Sequence, residues 1–213
     1  MRQVNILYGP PASGKTSIMG AMGGELSYVS VGDEFRRELR DGTALGSRLN
    51  AYLSTVREYP ACLIGKLVTR AIERDNPEAV MLDGFPKYER EVPILGRIIS
   101  DTEAQPGIMV ELCLSLNDAF ERTRQRFICS ECGIQQITAT QCVKCGSDNL
   151  LKRDDDDDIF FKRRYNDYIE ASNVVIPVLK EMGFRHVPLE STPENSPEVL
   201  AAQIKSELER AKA

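Results

Sequence analysis

No apolar run in this 213-residue chain approaches the roughly 20 residues that crossing a bilayer takes, so no membrane-spanning helix is expected. The amino-terminal stretch MRQVNILYGPP has neither a signal-peptide core nor a small-residue cleavage site, which makes cytoplasmic residence the expectation. Positive charge is not in excess. Lys and Arg number 27 against 32 Asp and Glu, a net charge of −5, so nothing draws the chain as a whole to nucleic acid or to anionic membranes. Any phosphate it binds must meet a local positive field. The only histidine, His186, falls on an expected strand and reads as structural. No internal repeat is present, and the acidic run Asp154–Asp158 is too short for a disordered tail and reads as a solvated turn. What remains is 42 % apolar and 28 % charged, the balance of a soluble domain with one core.

Hydrophobic patterning alternates short strands with helices. Strands are expected at Gln3–Tyr8, Tyr28–Val31, Ala79–Leu82, Ile108–Leu114 and Phe184–Leu189. Helices are expected from Gly14 to Met22, at Asp33–Arg40, at Leu45–Val56, after Pro60, at Val92–Ile99, at Asn117–Arg126 with Asn117 as cap, from Ile159 to Met182, and at Glu198–Arg210. This order implies a parallel five-stranded sheet covered by helices on both faces, with ligands at the carboxyl ends of the strands.

The first strand runs into Gly9-Pro10-Pro11-Ala12-Ser13-Gly14-Lys15-Thr16, which satisfies G-x-x-x-x-G-K-[ST] at every position. Glycines let the backbone curl until successive N–H groups converge on an anion, and the following helix adds its amino-terminal partial charge. Lys15 reaches the β- and γ-phosphates, and Thr16 stands next to the metal. Strand before and helix after are the context this P-loop motif requires, which makes the fold class that of the P-loop NTPases.

Three further stretches extend the site: Gly32-Asp33 with Arg36, then Asp83-Gly84-Phe85-Pro86-Lys87, then Arg122 and Arg126 followed by Arg153, Asp155-Asp156 and Arg164. In order and spacing, over nearly the whole chain, they resemble the adenylate kinase family, with its GD-x-x-R, DGFPR, R-x-x-x-R and R-x-D-D segments. The resemblance implies transfer of the ATP γ-phosphoryl group to a nucleoside monophosphate (NMP), with Mg²⁺ as cofactor. The donor would be held by Gly9, Ala12, Ser13, Gly14, Lys15, Thr16, Ser17, Arg122 (against the adenine) and Arg126. Lys15, Asp83, Arg126, Arg153 and Arg164 would be catalytic, Asp83 by orienting waters on Mg²⁺. The acceptor would meet Val31, Gly32, Arg36, Arg57, Glu58, Tyr59, Gly84, Phe85, Pro86, Lys87, Glu91, Arg153 and Arg164. Arg124 and Arg163 read as solvated surface charges. The implied organisation is a core of residues 1–29, 60–126 and 159–213, an NMP-binding segment at 30–59 and a lid at 127–158. Both insertions are expected to move, and a monomer is expected because they need space to close.

Six cysteines are present. Cys62 and Cys113 lie singly in apolar sequence and read as small core residues. Cys129-x-x-Cys132 and Cys142-x-x-Cys145, nine residues apart, form a Cys₄ pattern that reads as closed, structural zinc. Metal can replace a core in a segment with so few apolar residues. A nucleic-acid-binding zinc ribbon fits poorly, since Cys129–Cys145 holds one lysine, no arginine and no aromatic residue.

The acceptor site departs from the family. Val31 stands in place of threonine, Lys87 in place of arginine and Glu91 in place of an adenine-reading glutamine. Lysine keeps the charge and loses the bidentate fork; an ionised carboxylate accepts hydrogen bonds and donates none. AMP is the leading acceptor. CMP, UMP or GMP is the alternative on the same fold, and a non-catalytic nucleotide-binding regulatory protein the alternative of another class.

Overall fold

The computed structural model describes residues 2–24, 26–53, 59–132, 134–137, 140–152, 158–192 and 194–211. Five strands, β1 (Gln3–Tyr8), β2 (Ser27–Ser30), β3 (Ala79–Asp83), β4 (Gln105–Cys113) and β8 (Arg185–Glu190), form one sheet in the order β2-β3-β1-β4-β8. Every neighbouring pair is parallel, as the alternation of strand and helix requires.

Side chains along β1 alternate between the two faces. Val4, Ile6 and Tyr8 join a core with α4 (Ala61–Asp75), α5 (Val92–Asp101) and α7 (Asp158–Glu181). Leu7 joins the opposite core with α1 (Lys15–Ala21) and α8 (Pro197–Arg210). Asn5 is the buried exception. Its amide donates to Val80 O at 3.2 Å and accepts from Ile108 N at 2.9 Å, tying three strands where the β1–β4 register shifts. A Cβ on Gly107 would lie 2.2 Å from Asn5 Oδ1, so only glycine fits there.

Between β2 and α4 the chain forms α2 (Val31–Arg40) and α3 (Ala44–Leu53). Buried Glu34 and Glu38 of α2 reach Arg74 and Arg70 of α4 at 2.8 and 3.1 Å, so charge pairs and apolar packing both hold α2 down. After α6 (Leu116–Gln125) a separate antiparallel sheet, β6-β5-β7, is built from Arg126–Cys129, Gln135–Ile137 and Leu150–Leu151. The patterning of this stretch had shown no strands, because three of two to four residues each are too short to display alternation.

The boundaries and exposures compare with expectation as follows. Ser115, not Asn117, caps α6, accepting from Asp118 N at 3.1 Å. Pro60 caps α4 from just ahead of its first turn. α3 is described to Leu53, and the rest of the expected Leu45–Val56 helix lies outside the described residues. Cys62 is exposed and Cys113 half-buried. Cys62 belongs to the solvent stripe Cys62, Lys66, Arg70, Glu73 of α4, whereas Leu63, Leu67 and Ile64 face the core. Apolar neighbours in sequence are not neighbours on a helix.

Candidate active site

β1, β2 and β3 all end at one edge of the sheet, and the phosphate loop, Val31 and Asp83 follow or close those strands there. β1 delivers the phosphate loop. Ala12 and Gly14 take left-handed backbone at φ 63° and 86°, curling the chain into α1. At Gly9 a Cβ would lie 2.7 Å from Ser13 Oγ and 3.0 Å from Leu112 Cβ. Lys15 folds back over the loop, its Nζ donating to Gly9 O at 2.9 Å, Pro10 O at 3.1 Å and Ser13 Oγ at 3.3 Å. Thr16 and Ser17 are exposed at the start of α1.

The field at Lys15 has several sources. Burial is the largest influence and lowers the pKa of its ammonium; Asp83 opposes this, and Arg164, Arg126 and Lys87 push it lower. Asp83 is itself 8 % exposed. Burial raises its pKa, countered by Lys15 and by the Tyr28 hydroxyl, which donates to Oδ2 at 2.6 Å. Among the described residues nothing donates to the other carboxylate oxygen.

On the expected acceptor side, Val31 packs on Gly84, whose φ of 79° opens the turn after Asp83; a Cβ there would meet Val31 Cβ at 3.6 Å. The Phe85–Pro86 bond is cis and both residues are buried. Arg36 lies over Gly32 and pairs with Asp33 at 2.5 Å. Tyr59 meets the ring of Phe35 at 5.2 Å. Lys87 stands above the Tyr88 ring at 4.9 Å. Glu91 lies buried behind the same loop. It is 3 % exposed, and its Oε2 accepts from Lys87 N at 2.6 Å and Tyr88 N at 3.3 Å. It braces the loop that presents Lys87. Arg57, Glu58, Arg153 and Asp154–Asp157 lie outside the described residues, so the expectations resting on them are not placed.

Arg122 reaches the phosphate loop through a residue that the motifs did not reveal. Its Nη1 donates to Ser191 Oγ at 2.9 Å and Ala12 O at 3.4 Å, and its Nη2 to Ser191 O at 2.7 Å. The same Ser191 hydroxyl donates to Ser13 O at 2.9 Å. Ser191 is 2 % exposed and follows β8, at the far end of the chain from the loop it supports. No sequence signal marks it. Tyr28 is likewise unmarked, since a tyrosine in a short strand reads as core. Arg124 pairs with Glu121, and Arg163 is exposed. His186 meets Glu111 across the β4–β8 pairing at 2.7 Å.

The four cysteines Cys129, Cys132, Cys142 and Cys145 come together with all sulfurs within 4.8 Å of one another. The closest pairs are 3.5 and 3.6 Å apart, against about 3.8 Å for a tetrahedron with metal–sulfur bonds of about 2.3 Å. The donor set and spacing fit a four-thiolate metal site.

Residues 8–131 match the family model described as an AAA domain, which with the phosphate loop and parallel sheet defines a P-loop nucleotide-binding protein. Within that class the chain belongs to the adenylate kinase family. It is 29 % identical to the adenylate kinase of Thermococcus onnurineus over 84 % of this chain and 83 % of that one. Against the adenylate kinase of Pyrococcus furiosus the identity is 28 %, covering 80 % and 81 %. Against that of Chlamydia caviae it is 26 %, covering 89 % and 91 %. No helix among the described residues is long and apolar enough to cross a membrane.

Proposed function

We propose that the protein is an ATP:AMP phosphotransferase that uses the edge formed by the phosphate loop, Asp83 and the arginines around Lys15. One observation carries the reading: β1 and β3 are paired up to Leu7 and Asp83, so the phosphate loop with Lys15 folded over it and a buried carboxylate leave the sheet side by side at one edge. In the reaction an AMP phosphate oxygen attacks the γ-phosphorus while the bond from that phosphorus to the β-bridging oxygen breaks, giving two ADP. Phosphoryl transfer needs positioning and charge neutralisation more than covalent help. Lys15 holds the β/γ-phosphates, Arg126 and Arg164 neutralise the transferring group, and Arg36 and Lys87 hold the acceptor phosphate. Arg122, fixed by Ser191, lies against the donor base.

Thr16 and Asp83 would hold Mg²⁺, which enters with ATP and supplies further neutralisation of its phosphates; the Asp83 oxygen to which none of the described residues donates suits this. The four cysteines would hold structural zinc, replacing an apolar core in the small sheet. Residues 30–59 and 127–158 serve as closing segments that exclude water. Glu91 Oε2 is engaged by backbone N–H groups, and the case for an acceptor base other than adenine rests on Val31, Lys87 and the remaining carboxylate oxygen of Glu91.

A panel of AMP, CMP, UMP and GMP assayed with Mg-ATP tests the reading. AMP should be turned over best. Turnover of AMP below the other three would remove AMP as the acceptor, and wild-type rates from Lys15→Ala would remove the mechanism.

A further inference from the structure

The solvent stripe of α4 that carries Cys62, Lys66 and Arg70 lines a cavity of about 550 Å³ bounded by α3 and α5. Among the described residues, none that the active site uses lines it. The volume lies within the range of small-molecule sites. Leu45, Ile94 and Ile98 make its lining apolar, and Gly65 lets Ile94 of α5 pack directly on α4 at its wall, where a Cβ would lie 2.5 Å from Ile94 Cγ2. Three cations on three helices border it, Arg48 on α3, Lys66 on α4 and Arg97 on α5. Among the described residues none of these three side chains has an ion-pair or hydrogen-bond partner, whereas Arg70 beside them is engaged by Glu38 at 3.1 Å. Asp101 is the one carboxylate on the lining.

Arg48, Lys66 and Arg97 are exposed side chains on one rim; like charges there repel one another, and an anion in the hollow is attracted by all three. The two guanidinium forks suit phosphate oxygens, and the apolar lining suits a flat ring. A bare inorganic anion would leave the apolar part uncovered, and a neutral ring would leave the cations without a counter-charge. We propose that this cavity is a second ligand site, selective for a phosphate monoester that carries an aromatic body. Its ring lies against Leu45, Ile94 and Ile98, and its phosphate among Arg48, Lys66 and Arg97.

Cys62 is exposed and lines the cavity, so it reports occupancy there. Its alkylation by iodoacetamide in the full chain can be followed by mass spectrometry of its peptide, with AMP, adenosine and inorganic phosphate as probes. AMP is expected to slow the reaction saturably, about tenfold at ten times its Kd. Inorganic phosphate should protect less and adenosine hardly at all. In the Arg48→Gln/Arg97→Gln variant protection should disappear while transfer from ATP to AMP continues, which also shows that the variant is folded. Should that pair fail to fold, Lys66→Gln carries the same test with one exposed change. Absence of protection by AMP up to about 1 mM, the weak end of specific affinities, would overturn the proposal. So would equal protection by adenosine, or protection that survives in the charge variants, which would locate the effect at the active site.

Discussion

Replacing Ser191 by alanine tests whether the donor site is held from the far end of the chain. The hydroxyl makes two contacts, donating to Ser13 O at 2.9 Å and accepting from Arg122 Nη1 at 2.9 Å. A hydrogen bond to a charged group contributes about 1.5–3 kcal/mol. The lower end applies, because Arg122 keeps Ser191 O at 2.7 Å and Ala12 O at 3.4 Å. About 1.4 kcal/mol is a tenfold change in an equilibrium constant, so KM for ATP should rise about tenfold. KM for AMP should change less than about twofold, since nothing on the acceptor side touches Ser191. Leaving Ser13 O without its donor costs a further ~1 kcal/mol of stability, or about 2–4 °C in Tm for a chain of this size. Steady-state kinetics with each substrate varied in turn, joined to a double-mutant cycle with Arg122→Gln, supply the test. If the two residues act as one unit, Ser191→Ala should add little once Arg122 is changed. Full additivity, or equal rises in both KM values, would refute the reasoning.

Further outcomes follow from other parts of the structure. Asp83→Asn should lower phosphotransfer at least about a hundredfold, the scale on which electrostatic groups act in transfer reactions, in the AMP assay. Its stability should match or exceed the wild type. The pKa of Asp83 is raised in the fold, so its ionisation costs stability: the gap in Tm should open as pH rises past the ordinary carboxylate range and close below it. Glu34→Gln should destabilise the protein by about 1–2 kcal/mol in urea titrations, less than a fully buried pair, because its partner Arg74 is 41 % exposed. Gly107→Ala should cost about 2–3 kcal/mol or prevent expression, since its Cβ would press on Asn5 Oδ1. A strong chelator should release about one zinc per chain by atomic absorption and expose residues 127–158 to protease, leaving the parallel sheet intact. Protection of that segment unchanged after metal loss would contradict a structural role.

Much of the fold was legible because its signals are local. A strand of apolar residues followed by a loop rich in glycine and closed by Lys15 specifies backbone curvature, a cation and a helix start within fourteen residues, Gln3–Thr16. The five strands of the parallel sheet could be read because each is a short apolar run between turn residues. The cysteine spacing likewise announced a four-thiolate cluster before the sulfurs were seen to converge. Cys62 misled because composition was read along the chain, whereas burial follows the helical stripe of α4. Glu91 also has a role that its motif did not announce. Its place in the motif pointed toward a base, but two free backbone N–H groups at the head of a short 3-10 turn lay nearer, and a buried carboxylate takes the donors at hand.

The sequence by itself determined the class of chemistry: a loop that cradles phosphate, a carboxylate at the end of β3 and arginines spaced to meet a transferring group. Those requirements are met by residue type and short spacing, which a chain displays directly. Only the tertiary structure decided which groups share a field and which are occupied by their own backbone. The charges of Arg164 and Arg126 push the pKa of Lys15 down although α7 and β5 lie far from β1 in sequence. Ser191 meets Ser13 because β8 lies beside β4 and ends beside the loop that follows β1, although 178 residues separate the two serines. Contacts between residues so far apart in sequence follow from packing of the whole sheet and leave no local pattern.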